Sequence, residues 1–245
     1  FIESEGWITT LVIMAGFTAI MVPLAISLIG RTIEAPSAVP AQRPREALRE
    51  ALRHRGYLLL SSGYFVCGVQ TMFIGTHFPA MLEGLKVDPG VAAIALSLIG
   101  LFNIIGTFAW GAMGGKMRKK YLLCWLYSLR SVIMIAFILL PVTSTTVIAF
   151  SCLMGLLWLG TVPLTGAIVA QMFGLRHMGM LFGFSFVAHQ IGSFIGIWAA
   201  GAFYDMYGNY DIVWWAAIIT GLIAALMCYP INDAPVERAR QAQQA

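Results

Sequence analysis

The sequence predicts an all-α membrane protein, and three observations predict it. Of its 245 residues, 59% are hydrophobic and 11% are charged, which excludes an ordinary soluble domain. Apolar stretches of about 20 residues, long enough to cross a bilayer, recur along the whole chain. Each must be helical, because an isolated strand leaves its backbone unsatisfied in lipid.

The expected spans are Trp7–Gly30, Gly56–Leu82, Val91–Gly115, Tyr121–Leu140, Thr146–Phe173, Met178–Tyr204 and Ile212–Ile231. The chain opens at Phe1, almost at the start of the first span, and reads as a piece of a longer protein. Between the first two spans, Ala35–Pro44 is rich in Pro and Ala and reads as a flexible linker. Pro44 then opens a short basic helix with Leu48 and Leu52 four apart, suited to an anionic membrane surface or to a docking regulator. In the fifth span Gly160 and Pro163 fall mid-helix, and Pro163, lacking an N–H, should bend it. The sixth span carries Gly183, Gly192, Gly196 and Gly201, which permit close helix approach, and ends in a turn containing Asp205 and Gly208. The polar tail from Asn232 onward is expected to lack order.

Basic residues set the orientation. If the first connection is inside, thirteen of the fifteen Lys and Arg residues fall inside, only Lys86 outside, and Arg130 within a span. The expected arrangement is therefore an outside N-terminus, a cytoplasmic C-terminus and a plasma (bacterial inner) membrane location. Cys67, Cys124, Cys152 and Cys228 lie singly in apolar spans and read as reduced packing residues. A short repeat appears at a spacing of 90: Ile105, Gly106, Ala109, Gly111 and Ala112 match Ile195, Gly196, Ala199, Gly201 and Ala202. The two spans run in opposite directions, as an inverted three-plus-three repeat requires.

Gly111 to Lys120, with glycines followed by Lys116, Arg118, Lys119 and Lys120, is similar to the glycine-and-basic loop motif of the major facilitator superfamily. Gly115 stands at its usual acidic position. Tyr204 to Asp211 resembles the end of helix eleven in the monocarboxylate transporter branch, with bacterial relatives of that branch the nearest likeness. The resemblance implies the C-terminal half of such a transporter. Residues 1–30 would be helix six, 31–55 the cytoplasmic loop between halves, 56–231 a six-helix bundle built as a 3+3 inverted repeat, and 232–245 a cytoplasmic tail. It also implies a small-molecule substrate, a monocarboxylate or other small organic anion, a proton as coupling ion, and a missing N-terminal half as partner. The animal members carry an Asp and an Arg one turn apart in helix eight. The matching positions here are Asn103 and Thr107, so the carboxylate-holding cation is absent from that place.

Eight residues are candidates for substrate contact. Arg130, near mid-span, either holds an anion or is bonded to neighbouring helices; unpartnered, it would cost several kcal/mol. Gln70 and His77, seven apart, share a face, and His77 could titrate near neutrality. Asn103 either joins the site or bonds across the bundle. Trp158 either walls an apolar substrate or packs, and Thr161 and Thr165 lie on neighbouring faces at spacings of three and four. Of His189 and Gln190, which point about 100° apart, one should face the cavity. Pro163, Gly192, Gly196, Gly201 and Asp205 are candidates for packing or gating. No acidic residue lies centrally in a span, and motifs of hydrolases, zinc peptidases and phosphate-binding loops are absent, so no catalysis, metal or cofactor is expected, nor nucleic acid. The competing readings are a membrane-embedded enzyme using His77 or His189, and a seven-helix receptor.

Overall fold

The computed structural model describes residues 2–23 and 42–237. All regular structure among them is helical. Seven helical stretches are long and apolar enough to cross a membrane. The chain divides into two compact units. The first holds α1, Ile2–Ala19, whose path turns at Gly6, where φ is 77°. The second holds α2 (Pro44–Arg53), α3 (Arg55–Gly84), α4 (Pro89–Lys116), α5 (Lys119–Leu139), α6 (Ser144–Leu157), α7 (Thr161–Phe173), α8 (Met178–Tyr207) and α9 (Asp211–Cys228). The end of the first expected span, the Pro/Ala linker and the last residues of the tail lie outside the described residues.

The helices begin where local chemistry allows. Asp88 caps α4 by accepting from the N–H groups of Gly90 and Val91, with Pro89 at the first helical position. Thr143 and Thr146 cap α6 reciprocally. The fifth expected span is two helices. Its axis breaks over residues 158–160, and Pro163 sits in the first turn of α7, where its missing N–H does least harm.

Two crossings set the bundle. α3 packs along α8, and α4 along α6. At the first crossing, a Cβ added to Gly68 would run into the carbonyl of His189, one on Gly192 into the carbonyl of Phe65, and one on Gly196 would lie 2.6 Å from the Val69 carbonyl. At the second, a Cβ on Gly106 would run into the Leu156 carbonyl, and one on Gly155 would lie 2.7 Å from the Ile99 carbonyl. Only hydrogen atoms on Cα let the backbones come this close. Gly201 faces His77 at 3.8 Å, an ordinary contact, and Gly183 has open space. α5 packs mainly against α9.

One core cluster, including Tyr57, Leu123, Tyr127 and Phe173, fills the end where the basic residues gather. A second, including Phe78, Phe137, Phe150 and Trp214, fills the opposite end, where Phe137 and Phe150 lie 4.3 Å apart between ring centres. Large apolar side chains such as Phe108, Phe194, Trp198 and Leu226 are exposed on the bundle surface, as lipid-facing helices require. α2 buries Ala47 and Ala51 and leaves Arg45, Arg49 and Arg53 outward.

The expectation of a disordered tail from Asn232 is corrected for its first residues. Asp233 is buried and pairs with Arg118 at 2.8 Å, and its carbonyl accepts from Gln171 at 2.9 Å. Val236 N–H donates to the Met172 carbonyl. These bonds tie the segment across the basic end. The Asp233 carboxylate holds the Arg118 guanidinium above its ordinary pKa.

Candidate functional site: the polar cluster at the helix break

Breaking α6 from α7 in mid-bundle frees buried and half-buried backbone groups, and side chains of other helices satisfy them. α5 supplies Arg130, which is fully buried. Its Nε and Nη2 donate to the Leu157 carbonyl at 3.0 and 2.6 Å, and Nη2 also donates to the Trp158 carbonyl. α4 supplies two more partners. Trp110 Nε1 donates to the Leu156 carbonyl at 3.0 Å, and Asn103 Oδ1 accepts from Leu159 N–H at 3.1 Å. Thr107 Oγ1 donates to the same Asn103 oxygen at 3.2 Å. Gly160 fits under the Trp110 ring, where a Cβ would lie 2.6 Å from Cδ1.

Arg130 also reaches α3, where Nη1 donates to Cys67 Sγ at 3.4 Å. Cys67 Sγ lies 3.2 Å from Thr161 Oγ1, so α3, α5 and α7 meet at one point. Among the described residues no acidic side chain pairs with Arg130. The guanidinium also lies over the Tyr127 ring, 5.8 Å from its centre; with carbonyl, thiol and ring partners but no carboxylate, it retains its full positive charge, which a nearby anion would offset.

α8 closes the cluster with His189. Its ring lies 4.8 Å from Tyr64 and stacks on Phe186 at 5.4 Å, with 3° between planes. Nδ1 faces Gln190 Oε1 at 3.2 Å and Ser193 Oγ at 3.4 Å. His189 Nε2, Tyr64 Oη and Thr165 Oγ1 are buried without a hydrogen-bond partner of ordinary geometry among the described residues. Three such atoms on three helices are unusual, because buried polar groups are normally satisfied.

The predicted site residues therefore divide. Asn103, Arg130, Thr161 and His189 meet around the break, with Gln190 joined through His189 and Pro163 just beyond; Trp158 contributes its carbonyl, while its ring lies by Gly75 of α3 and packs on the second core cluster. Gln70 points elsewhere: its Nε2 donates to the Ala217 carbonyl at 2.9 Å, between α3 and α9. His77 lies toward the opposite end, between the Tyr210 hydroxyl at 3.2 Å and the Ile197 carbonyl at 3.1 Å. A carbonyl can only accept, so Nε2 carries hydrogen and, in the neutral ring, Nδ1 accepts from Tyr210. Burial raises the Tyr210 pKa, which keeps that donor protonated. Asp205 is exposed near the end of α8.

Tyr64 and Trp110 escaped the sequence reading, since singly each is an ordinary residue of an apolar helix. Cys67 and Thr165 carried only a spacing signal, Cys67 three residues from Gln70 and Thr165 four from Thr161. Two clefts lie at the bundle ends, away from this cluster. One of about 430 Å³ is lined by Lys116, Arg118, Lys119, Gln171 and Asp233, and one of about 310 Å³ by Phe137, Tyr204, Tyr210 and Trp214.

Comparison with known proteins agrees with this architecture. The family model of the Major Facilitator Superfamily matches residues 1–161 and, in a second match, residues 60–245. Among curated proteins, the uncharacterized MFS-type transporter YcxA of Bacillus subtilis (strain 168) is 27% identical over 182 residues. That match covers 71% of this chain and 44% of the relative, so the chain spans less than half of that protein's length.

Proposed function

The chain belongs to the Major Facilitator Superfamily, and on that premise we propose that it is the C-terminal half of a secondary active transporter that moves a small organic anion, a monocarboxylate in the first instance, together with a proton. Membership supports transmembrane transport by a multi-pass membrane protein acting on a small molecule. The anion is our reading. The observation that carries it is Arg130, buried among α3, α5 and the α6–α7 break with no carboxylate partner among the described residues. In a low-dielectric interior this charge favours an anion over a neutral or cationic substrate. Thr161 and Trp158 border it, and the break gives α7 a joint about which it can move. Proton coupling and the monocarboxylate class rest on the likeness of the loop motif and of the α8–α9 turn.

The inverted repeat belongs to the same proposal, with spans α3–α5 and α6–α9 as its two units. The two crossings support it. Taking Gly68 to Gly155, His189 to Ile99, Gly196 to Gly106 and Val69 to Leu156 turns one pair of glycine–carbonyl contacts into the other. Alternating access would then rock this half against an N-terminal partner half around a midplane site.

The test is uptake by the natural full-length protein in proteoliposomes, with labelled acetate, lactate and pyruvate against neutral and cationic organic solutes. Saturable uptake of an anion is expected, and saturable uptake confined to neutral or cationic solutes overturns the anion reading. The intact mass of the natural protein checks the two-half arrangement: about twelve spans of roughly 20 residues plus loops are expected, whereas a chain of seven spans contradicts it.

A further inference from the structure

We infer that His189 is the protonation site that couples proton to anion, and that the anion's oxygen is received by a donor set of Tyr64 Oη, Thr165 Oγ1 and protonated His189 Nε2 beside Arg130. This deepens the proposed function and rests on the anion-transport reading.

The hydrogen bonds fix the ring's state. Ser193 donates its hydroxyl hydrogen to the His189 carbonyl at 2.9 Å, which leaves only lone pairs on Ser193 Oγ toward His189 Nδ1. Gln190 Oε1 faces the same nitrogen. Nδ1 is therefore the protonated nitrogen of the neutral ring, and Nε2 carries a lone pair. That lone pair is buried without a donor of ordinary geometry among the described residues. A proton arriving at Nε2 converts it from acceptor to donor, and the ring becomes an imidazolium held between Tyr64 and Phe186, whose faces stabilise a cation.

The same change switches the pocket. The Tyr64 and Thr165 hydroxyls are buried and have no hydrogen-bond partner among the described residues. Register places them together. Tyr57 packs edge-on to Phe173, and Cys67 meets Thr161, so antiparallel α3 and α7 set Tyr64 level with Thr165. With Nε2 unprotonated, its lone pair opposes an anionic oxygen. Once it is protonated, every unpartnered group of the set can donate. The titratable and charged groups around the ring are Tyr64 and Cys67 on α3 and Arg130 on α5, with polar Thr161, Thr165, Gln190 and Ser193 on α7 and α8. Two cations, Arg130 and the imidazolium, are unfavourable together in a buried site unless an anion joins them. Proton and anion therefore promote each other's binding, and reciprocally so.

The experiment uses the full-length protein in proteoliposomes with labelled lactate or pyruvate, whichever the wild type takes up. An inward proton gradient should drive accumulation by wild type. H189Q should lose gradient-driven accumulation by at least about tenfold, and its remaining anion exchange, weakened by loss of the Nε2 donor, should no longer depend on pH. Y64F and T165V should raise the half-saturating anion concentration and remain proton-driven. Anion-dependent proton uptake, read with a pH dye on detergent-solubilised protein that elutes as one folded peak, should vanish in H189Q. Gradient-driven accumulation or anion-dependent proton uptake that persists in folded H189Q overturns the proposal and leaves the anion reading standing. Absence of organic-anion uptake by wild type overturns both. If H189Q does not fold, normal half-saturation in both Y64F and T165V overturns the assigned donor set, and raised half-saturation supports it.

Discussion

Arg130 grips the carbonyl of Leu157 with two donors, Nε at 3.0 Å and Nη2 at 2.6 Å. One side chain thus ends a helix that belongs to another part of the bundle. The bond makes Arg130 both the cap of the α6–α7 break and the positive charge beside it.

Replacing Arg130 should therefore affect stability and transport together. R130Q leaves the Leu157 and Trp158 carbonyls short of donors, at about 1–3 kcal/mol for each buried unsatisfied group. Thermal unfolding in detergent should shift down accordingly, and anion uptake should be lost from the protein that remains folded. R130K should recover some of the fold but less of the transport, since an ammonium cannot reproduce the planar fork. Unchanged stability in R130Q would remove the cap from the account.

Asn103 guards the other side of the break. N103A should expose Leu159 N–H, because Asn103 Oδ1 is its acceptor among the described residues. Hydrogen exchange at that amide should accelerate by at least about tenfold, given a loss of about 1–3 kcal/mol. Exchange equal to wild type would mean the break is held without Asn103.

The glycine crossings give the sharpest mutational contrast. G192L and G196L should each abolish a folded peak in size-exclusion chromatography, because the added side chain must enter the backbone of α3. G183A should fold at least as well as wild type, since nothing lies within 4 Å and Ala favours helix by up to about 1 kcal/mol. Normal yields of G192L and G196L would exclude the close crossing.

At the basic end, D233N should loosen the segment after α9 without greatly lowering the melting temperature, as Arg118 is 58% exposed. Limited proteolysis near Asn232 should quicken. Because Asp233 raises the Arg118 pKa, that arginine's stabilising contribution is complete throughout the range in which a free guanidinium is protonated and is lost only as pH rises through the still higher folded value. Stability between about pH 6 and 9 should therefore carry no slope from Arg118.

The sequence displayed the bundle well because the bilayer dictates span length, and α3, α4, α5, α8 and α9 start and stop within a few residues of their apolar stretches. It displayed half of each crossing: Gly192 and Gly196 were legible as small residues, whereas Gly68 acquires meaning only from the His189 carbonyl opposite. Pro163 announced the bend of the fifth span, but the break falls just before it, where Arg130, Asn103 and Trp110 can reach the freed groups. Those three come from two other helices, and one chain read in order does not pair them. Tyr64 was illegible for a further reason, since its signal is a partner it lacks, and the spacing of Thr165 from Thr161 showed a face but not that its hydroxyl is unpaired among the described residues. Asp233 misled the reading because a polar tail resembles a solvated one until a buried arginine-facing position accepts it.

In the inverted repeat we propose, Thr71, Met72 and Phe73 of α3 correspond to Trp158, Leu159 and Gly160. α3 runs through its three positions as continuous helix, while the second unit breaks at its own. On that proposal the two units share a packing plan and differ in stiffness, one a solid strut and the other a jointed arm. Equal loads applied from the two sides of the membrane would bend them unequally. A bundle built this way has a built-in direction, because its symmetry ends at the joint.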